Sequence, residues 1–109
     1  TPADKLDQPR QVPIMSAYII VDVEITDRAR FDEYAKSVPP TLAGYGGRFL
    51  ARGGKTENLE GTWQPQRVVV IEFESYERAK QWWASEEYRA PKQLRQSAAI
   101  TNMIVVAGV

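Results

Sequence analysis

Charged side chains on the predicted strands are the groups of this sequence that could do chemistry. Arg48 and Arg52 occupy the two ends of RFLAR, a short segment between glycine pairs, and Glu72 lies in the strand-like run QRVVVIEFE. Arginine binds a carboxylate or enolate through paired hydrogen bonds, and a carboxylate whose pKa is raised can move a proton. We therefore predict that Arg48 and Arg52 bind an anionic ligand. Glu72 and Asp22 are the candidate catalytic residues.

Three aromatic residues complete the candidate ligand-binding set, namely Tyr18, Trp63 and Tyr88. Trp63 lies in a long loop that could close over the pocket, and the Tyr88 hydroxyl could be a buried donor. Each group also has a structural interpretation. The arginines and carboxylates could form an ion-pair network that fixes strand register, and Trp63 could pack the loop or contact a partner. The helical spacing of Trp82, Trp83 and Tyr88 is typical of core or interface.

The composition removes most other chemistry, because the sequence contains neither cysteine nor histidine. Thiolate nucleophiles, imidazole bases, histidine-ligated haem and zinc sites built on these residues are thereby excluded. An oxygen-only site from Asp22, Glu24 and Glu72 is disfavoured by the neighbouring arginines. We predict neither a metal nor a cofactor.

The charge balance argues against nucleic-acid and membrane partners. Fourteen basic and fourteen acidic residues cancel, so no overall field draws the chain to polyanions. The apolar runs fall short of the roughly 20 residues of a membrane helix. We expect a soluble, cytoplasmic protein, with a removed export signal as the alternative because the chain begins at Thr1.

The elements that must position these side chains follow from periodicity and turn residues. The proline-rich, charged residues 1–14 predict a flexible tail, and residues 15–109 predict a single domain. Strands are predicted at 17–25, 48–52, 66–74 and 100–107. Asp27, Ser75 and Ser85 are predicted to cap helices. The first helix should be interrupted at Pro39 and Pro40, and a separate helical piece should begin at Pro91.

The resulting order, β-α-β-β-α-β, predicts an α+β, ferredoxin-like fold with a four-stranded antiparallel sheet. Right-handed crossovers place the helices on one face of the sheet. The other face would carry apolar residues such as Tyr18, Ile20, Val68 and Val70, together with Arg48, Arg52 and Glu72. Such a face needs a cover. A second copy of the chain can provide one through a symmetric contact, so we predict a homodimer. A monomer whose polar residues face water is the alternative. RNA-recognition modules of this fold expose aromatic residues on the third strand, whereas this strand would expose Val68, Val70 and Glu72, which argues against RNA recognition.

Several motifs in order resemble the family called domain of unknown function 1330: GGR at 46–48, ARGG at 51–54, LEG at 59–61, RVVVIEF at 67–73 and WWASEEY at 82–88. The resemblance covers nearly everything from Ala17 to Val109. It implies a dimeric α/β barrel, in which two ferredoxin-like subunits associate through their sheets.

The resemblance implies no activity, because none is assigned to the family. The wider superfamily includes cofactor-independent monooxygenases, lactone isomerases and haem enzymes, and a chain without histidine fits the haem branch badly. Two hypotheses follow. The first is a homodimer that binds a small organic molecule, or catalyses cofactor-independent proton transfer or oxidation, in a pocket on the sheet face. The second is a non-catalytic ligand-sensing or structural dimerisation module.

Overall fold

The structure, a computed structural model, describes residues 16–109. The predicted tail at 1–14 lies outside the described residues. The elements in chain order are β1 (Ala17–Ile25), α1 (Arg28–Ala43), β2 (Arg48–Arg52), β3 (Val68–Phe73), α2 (Tyr76–Trp83), α3 (Glu86–Ala98) and β4 (Ala99–Ala107). None of these helices has the length and apolar character needed to cross a membrane.

The four strands form one antiparallel sheet in the order β2-β3-β1-β4. The central strand β1 pairs Ile19 with Ile71 of β3 on one side and with Val105 of β4 on the other. This is the sheet order of the ferredoxin-like fold, so the predicted fold class is confirmed.

The hydrophobic core lies between one face of the sheet and the three helices. Alternate residues of β1 and β3 point into it, as the period of two requires. Those residues are Ala17, Ile19, Val21, Val23, Val69, Ile71 and Phe73, all buried. The helices contribute Phe31, Val38, Leu42, Ala79, Trp82 and Tyr88. Burying each large apolar side chain contributes about 1.5–3 kcal/mol, so this face holds the helices on the sheet.

Each helix begins at a capping residue that the sequence predicts. Asp27, Ser75 and Ser85 have extended backbones, and their side chains accept hydrogen bonds from the amides of Arg30, Arg78 and Tyr88, respectively. These bonds satisfy amides that lack an intrahelical partner.

Helix α1 runs without interruption through Pro39 and Pro40, contrary to the sequence prediction of a break there. Proline lacks an amide hydrogen, so the carbonyl four residues before Pro39, that of Ala35, loses its helical donor. Arg52 replaces that donor, because its Nη2 lies 2.7 Å from the Ala35 carbonyl oxygen. The helix therefore tolerates Pro39 because a side chain from β2 supplies the missing hydrogen bond.

Helix α3 also continues through Pro91, where the sequence predicts the start of a separate piece. The carbonyl that loses its helical donor there belongs to Glu87, which is exposed. Water can hydrogen-bond that carbonyl, so the helix need not break.

The second sheet face carries no helix. Its rows of side chains run across the strands, for example Ile104 of β4, Ile20 of β1 and Val70 of β3. Ile100 and Ile104 are each 59% exposed and Val106 is 40% exposed. We call this surface the open sheet face. It includes the three-residue row Ile104, Ile20 and Val70 and the flanking residues Ile100 and Val106. Its contiguous apolar surface is the kind that marks an interaction site.

Candidate functional site

One end of the open sheet face carries the predicted charged pair. Arg48 lies opposite Glu72 in the β2–β3 register, and Tyr18 of β1 lies on the other side of Glu72. Arg48 Nη2 lies 2.6 Å from Glu72 Oε1, and Arg48 Nε donates to the same oxygen at 2.7 Å. The predicted placement of Arg48 across from Glu72 is confirmed. An open depression of about 300 Å³ lies beside the pair.

Arg52 does not share a face with Arg48, so the sequence prediction that both point to the open sheet face is wrong. The β2–β3 register shifts between Phe49 and Ala51, and Arg52 pairs with the core-facing Val69. A β-bulge inserts one extra residue and reverses the alternation beyond it. Arg52 therefore lies on the helix side, over the Phe49 ring at 4.3 Å and against α1.

Asp22 and Trp63 meet at the other end of the open sheet face. Asp22 Oδ1 accepts from the amides of Gln66 and Arg67 at 2.9 Å and 3.2 Å, and Oδ2 accepts from the Trp63 indole at 3.2 Å. Trp63 itself is 61% exposed. Asp22 therefore anchors the end of the long loop 53–67 to the sheet.

The electrostatics of Asp22 oppose the role of a general base. Desolvation raises its pKa, but hydrogen bonds from the Gln66 and Arg67 amides and the Trp63 indole lower it more, so the pKa lies below its ordinary value. A carboxylate stabilised as the anion has little affinity for a proton. Glu72 is engaged by Arg48. The two catalytic candidates thus lie at opposite ends of the face, each held by structural contacts.

Tyr88 is fully buried between the helices and belongs to a polar network. Its hydroxyl lies 2.7 Å from the Tyr34 hydroxyl, and Arg95 Nε donates to it at 3.4 Å. Arg95 Nη1 donates to the Thr101 hydroxyl of β4. Desolvation, together with the charge and hydrogen bond of Tyr88, raises the pKa of Tyr34 far above its ordinary value. The Tyr34 hydroxyl therefore stays protonated at neutral pH.

A wide cavity borders this network on the helix side of the sheet. It has a volume of about 550 Å³ and lies between β4, α2 and α3. Its walls are mainly apolar, and its polar side chains are few. Its lining includes Lys80, Trp83 and Ala84 of the α2 end, Arg95 and Gln96 of α3, and Met103 of β4. We call this cavity the helix-side cleft. None of the seven residues predicted from the sequence lines it.

A second, much smaller cavity of about 30 Å³ lies deeper in the core and shares Arg95 and Met103 with the helix-side cleft. Arg67 also lines it, and the buried Nε of Arg67 has no hydrogen-bond partner among residues 16–109. A cavity of that volume is large enough for a water molecule, which could accept this hydrogen bond.

The residues that sequence reasoning missed are Arg95 and the other lining residues of the helix-side cleft. One signal could have placed Arg95. It lies seven residues after Tyr88, and residues seven apart lie on the same side of a helix. Because Tyr88 and Ala98 are both buried, the stripe they define includes Arg95. The cleft itself has no sequence signal, because residues from both ends of the domain form it. Among residues 16–109 no group of acidic side chains is arranged to hold a metal ion.

Solved structures with the same fold are distant in sequence. A protein of unknown function from Rhodopseudomonas palustris superimposes with a TM-score of 0.71 at 16% identity, over 89% of this chain and 85% of its own. The cofactor-independent oxygenase SnoaB from Streptomyces nogalater has a TM-score of 0.61 at 8% identity, over 87% of this chain and 94% of its own. A dimeric protein of unknown function and ferredoxin-like fold from Bacteroides fragilis has a TM-score of 0.56 at 12% identity, over 87% and 97%.

These likenesses show the fold alone, because all three identities are low. No curated protein matches the sequence significantly. The family model for domain of unknown function DUF1330 matches residues 16–109, which is the whole of the part that the structure describes. The chain therefore belongs to the DUF1330 family.

Proposed function

We propose that this chain is a small-molecule binding protein that holds one organic ligand in the helix-side cleft of each subunit of a homodimer. The volume of the cleft, about 550 Å³, is the observation that carries the proposal. Ligand sites are typically cavities of roughly 300–1,000 Å³ with mostly apolar walls and a few polar groups. The cleft has this size and this character.

The lining of the cleft supports an apolar or aromatic ligand. Trp83 is 43% exposed, so part of its ring is open to water. Covering a tryptophan ring contributes strongly to binding energy because the ring carries a large apolar area. Met103 of β4, which also lines the cleft, has a flexible, polarisable side chain that adapts to varied ligand shapes. A ligand between Trp83 and Met103 would cover apolar surface that is now open to water.

The predicted sheet-face pocket is a weaker candidate for the binding site. The depression beside Arg48 and Glu72 has a smaller volume, about 300 Å³, and is more open. The two charged side chains of this pair already form an ion pair with each other. We therefore propose that the open sheet face serves the dimer contact and that the helix-side cleft serves the ligand.

The proposal assigns no reaction. The Streptomyces nogalater neighbour is a cofactor-independent oxygenase, but at 8% identity the shared fold does not carry its chemistry to this chain. The two carboxylates predicted to move protons, Asp22 and Glu72, do not line the cleft. Ligand binding without an assigned reaction is the function that these contacts support.

The test is binding of N-phenyl-1-naphthylamine, a neutral apolar dye whose fluorescence rises when it enters an apolar site. We expect the dye to bind the wild-type protein, and Ala84→Trp to raise its Kd by at least about tenfold because the new ring fills the mouth of the cleft. Ala84 is exposed, so the fold should tolerate the larger side chain.

The matched control is Ala90→Trp, which adds the same ring at an exposed position of α3 outside the cleft. Its dye affinity should equal that of the wild type. Absence of dye binding by the wild-type protein, or equal binding by Ala84→Trp, would show that the cleft is not a ligand site.

A further inference from the structure

Arg95 is an unusual residue for the interior of a protein of this size. It is 4% exposed and is the one buried charged residue among residues 16–109. No carboxylate within that range forms a salt bridge with it. Its partners are the hydroxyls of Tyr88 and Thr101, which accept hydrogen bonds from its Nε and Nη1, respectively. Nη2 donates to no acceptor in the described part of the chain.

A buried positive charge without a counter-charge is costly to fold. Lysine or histidine could lose a proton in such a place, but the guanidinium group stays charged in proteins. Burying an unpaired charge is tolerated only when some other charge compensates it. The adjacent Tyr34 does not provide one, because desolvation and its contact with Tyr88 raise the pKa of its hydroxyl.

The other charged side chain in the cleft lining is also positive. Lys80 of α2 is the second charged residue in its lining, and no acidic residue lines it. A third cation lies just outside, because Lys92 Nζ is 3.6 Å from the centre of the Trp83 ring. The cleft thus combines apolar walls with a positive charge at its inner end and further positive charge near its mouth.

We propose that the helix-side cleft binds an organic carboxylate, with the carboxylate on Arg95 and the apolar body between Trp83 and Met103. A carboxylate is the planar anion that a guanidinium group binds through two parallel hydrogen bonds. The Gln96 side chain, in the cleft lining beside Arg95, is a further donor for the same anion. The proposal rests on the proposed function, because it requires the cleft to be the ligand site.

The experiment measures displacement of bound N-phenyl-1-naphthylamine by 2-naphthoate and by its neutral counterpart 2-naphthamide. The two competitors share one ring system and differ in charge. We expect 2-naphthoate to displace the dye at a concentration about tenfold lower, since a charge-assisted hydrogen bond is stronger than a neutral one. Without a cation in the cleft, the carboxylate would bind more weakly than the amide because it loses more hydration.

Two glutamine variants on α3 locate the charge effect. Gln96→Glu places a negative charge in the cleft with almost no change of shape, and it should abolish the preference for 2-naphthoate over 2-naphthamide. Gln93→Glu adds the same charge at an exposed position outside the cleft and should keep the preference. Both sites are exposed, so these variants avoid the folding risk of replacing Arg95 itself.

The outcomes separate this inference from the proposed function. If the wild-type protein does not bind the dye, the ligand site fails and the inference fails with it. If the dye binds but 2-naphthamide displaces it as well as 2-naphthoate does, the ligand site stands and the carboxylate inference is overturned. Equal loss of preference in Gln93→Glu and Gln96→Glu would also overturn it, because the effect would then not belong to the cleft.

Discussion

At the scale of single residues, the contacts of Asp22 are those of an anchor for the loop before β3. Asp22 shares the open sheet face with Glu72, and the sequence predicts both as candidate catalytic residues. Its carboxylate instead accepts hydrogen bonds from two backbone amides and one indole, all from the loop before β3. A strand pattern predicts the face on which a side chain lies, but it does not predict which loop atoms will reach that side chain.

Replacing Asp22 by asparagine tests this anchoring role. Asp22→Asn should lower the free energy of unfolding by about 1 kcal/mol at neutral pH, because hydrogen bonds to a charged acceptor are the stronger ones. The folded-state pKa is lowered, so the contribution of the ionised form is complete above the ordinary pKa and is lost as pH falls towards the folded-state value.

Guanidinium unfolding at neutral pH and at about pH 3 measures the effect, and the difference between wild type and Asp22→Asn should shrink at the acid pH. Glu24→Gln, an exposed neighbour on the same face, is the matched control and should change stability little. A difference that stays constant down to the acid pH would contradict the role of the ionised carboxylate.

At the scale of the elements, the contact between α1 and β2 accounts for two departures from the sequence prediction. The bulge in β2 turns Arg52 to the helix side, and Arg52 then supplies the hydrogen bond that Pro39 cannot. The uninterrupted helix and the reversed arginine therefore have one common cause.

A double-mutant cycle tests the link between Arg52 and Pro39. Arg52→Met should cost about 1 kcal/mol of unfolding free energy, the size of one hydrogen bond at a partly exposed site. In a Pro39→Ala background the same change should cost less than about half of that, because the new amide of residue 39 can donate to the Ala35 carbonyl. Chemical denaturation of the four proteins gives the coupling free energy.

Pro40→Ala provides the control background for this cycle. The amide of residue 40 would donate to the carbonyl of Lys36 and not to that of Ala35, so the cost of Arg52→Met should be unchanged. Equal costs in the Pro39→Ala and Pro40→Ala backgrounds would rule out the compensation that we describe.

At the scale of the whole molecule, the two faces of the sheet differ in what covers them. The helices cover one face and leave the helix-side cleft at its β4 edge. The open sheet face keeps exposed isoleucines at Ile100 and Ile104. The proposed dimer, a self-complementary contact about a two-fold axis, would bury this apolar surface.

The dimer proposal is tested by the mass of the protein in solution. We expect the wild-type protein to have twice the subunit mass at micromolar concentration in light scattering. Ile104→Glu should raise the dimer Kd by at least about tenfold, because it places a charge in the apolar row. The monomer should still fold, since Ile104 is 59% exposed.

Ala90→Glu adds the same charge on the helix side and should leave the wild-type mass unchanged. A wild-type monomer at micromolar concentration would sink the proposed assembly. An Ile104→Glu protein that remains a dimer as tightly as the wild type would place the contact elsewhere.

The sequence by itself determined the order of the strands and helices, the caps at Asp27, Ser75 and Ser85, and the face on which Glu72 lies. These features depend on local periodicity and on short-range hydrogen bonds, which one stretch of chain carries alone. Only the tertiary structure decided where Arg52 points, why α1 tolerates Pro39, and that Arg95 is buried beside a cleft. Each of these depends on contacts between elements distant in the chain, because a single bulge reverses the strand alternation and the cleft exists only where α2, α3 and β4 meet.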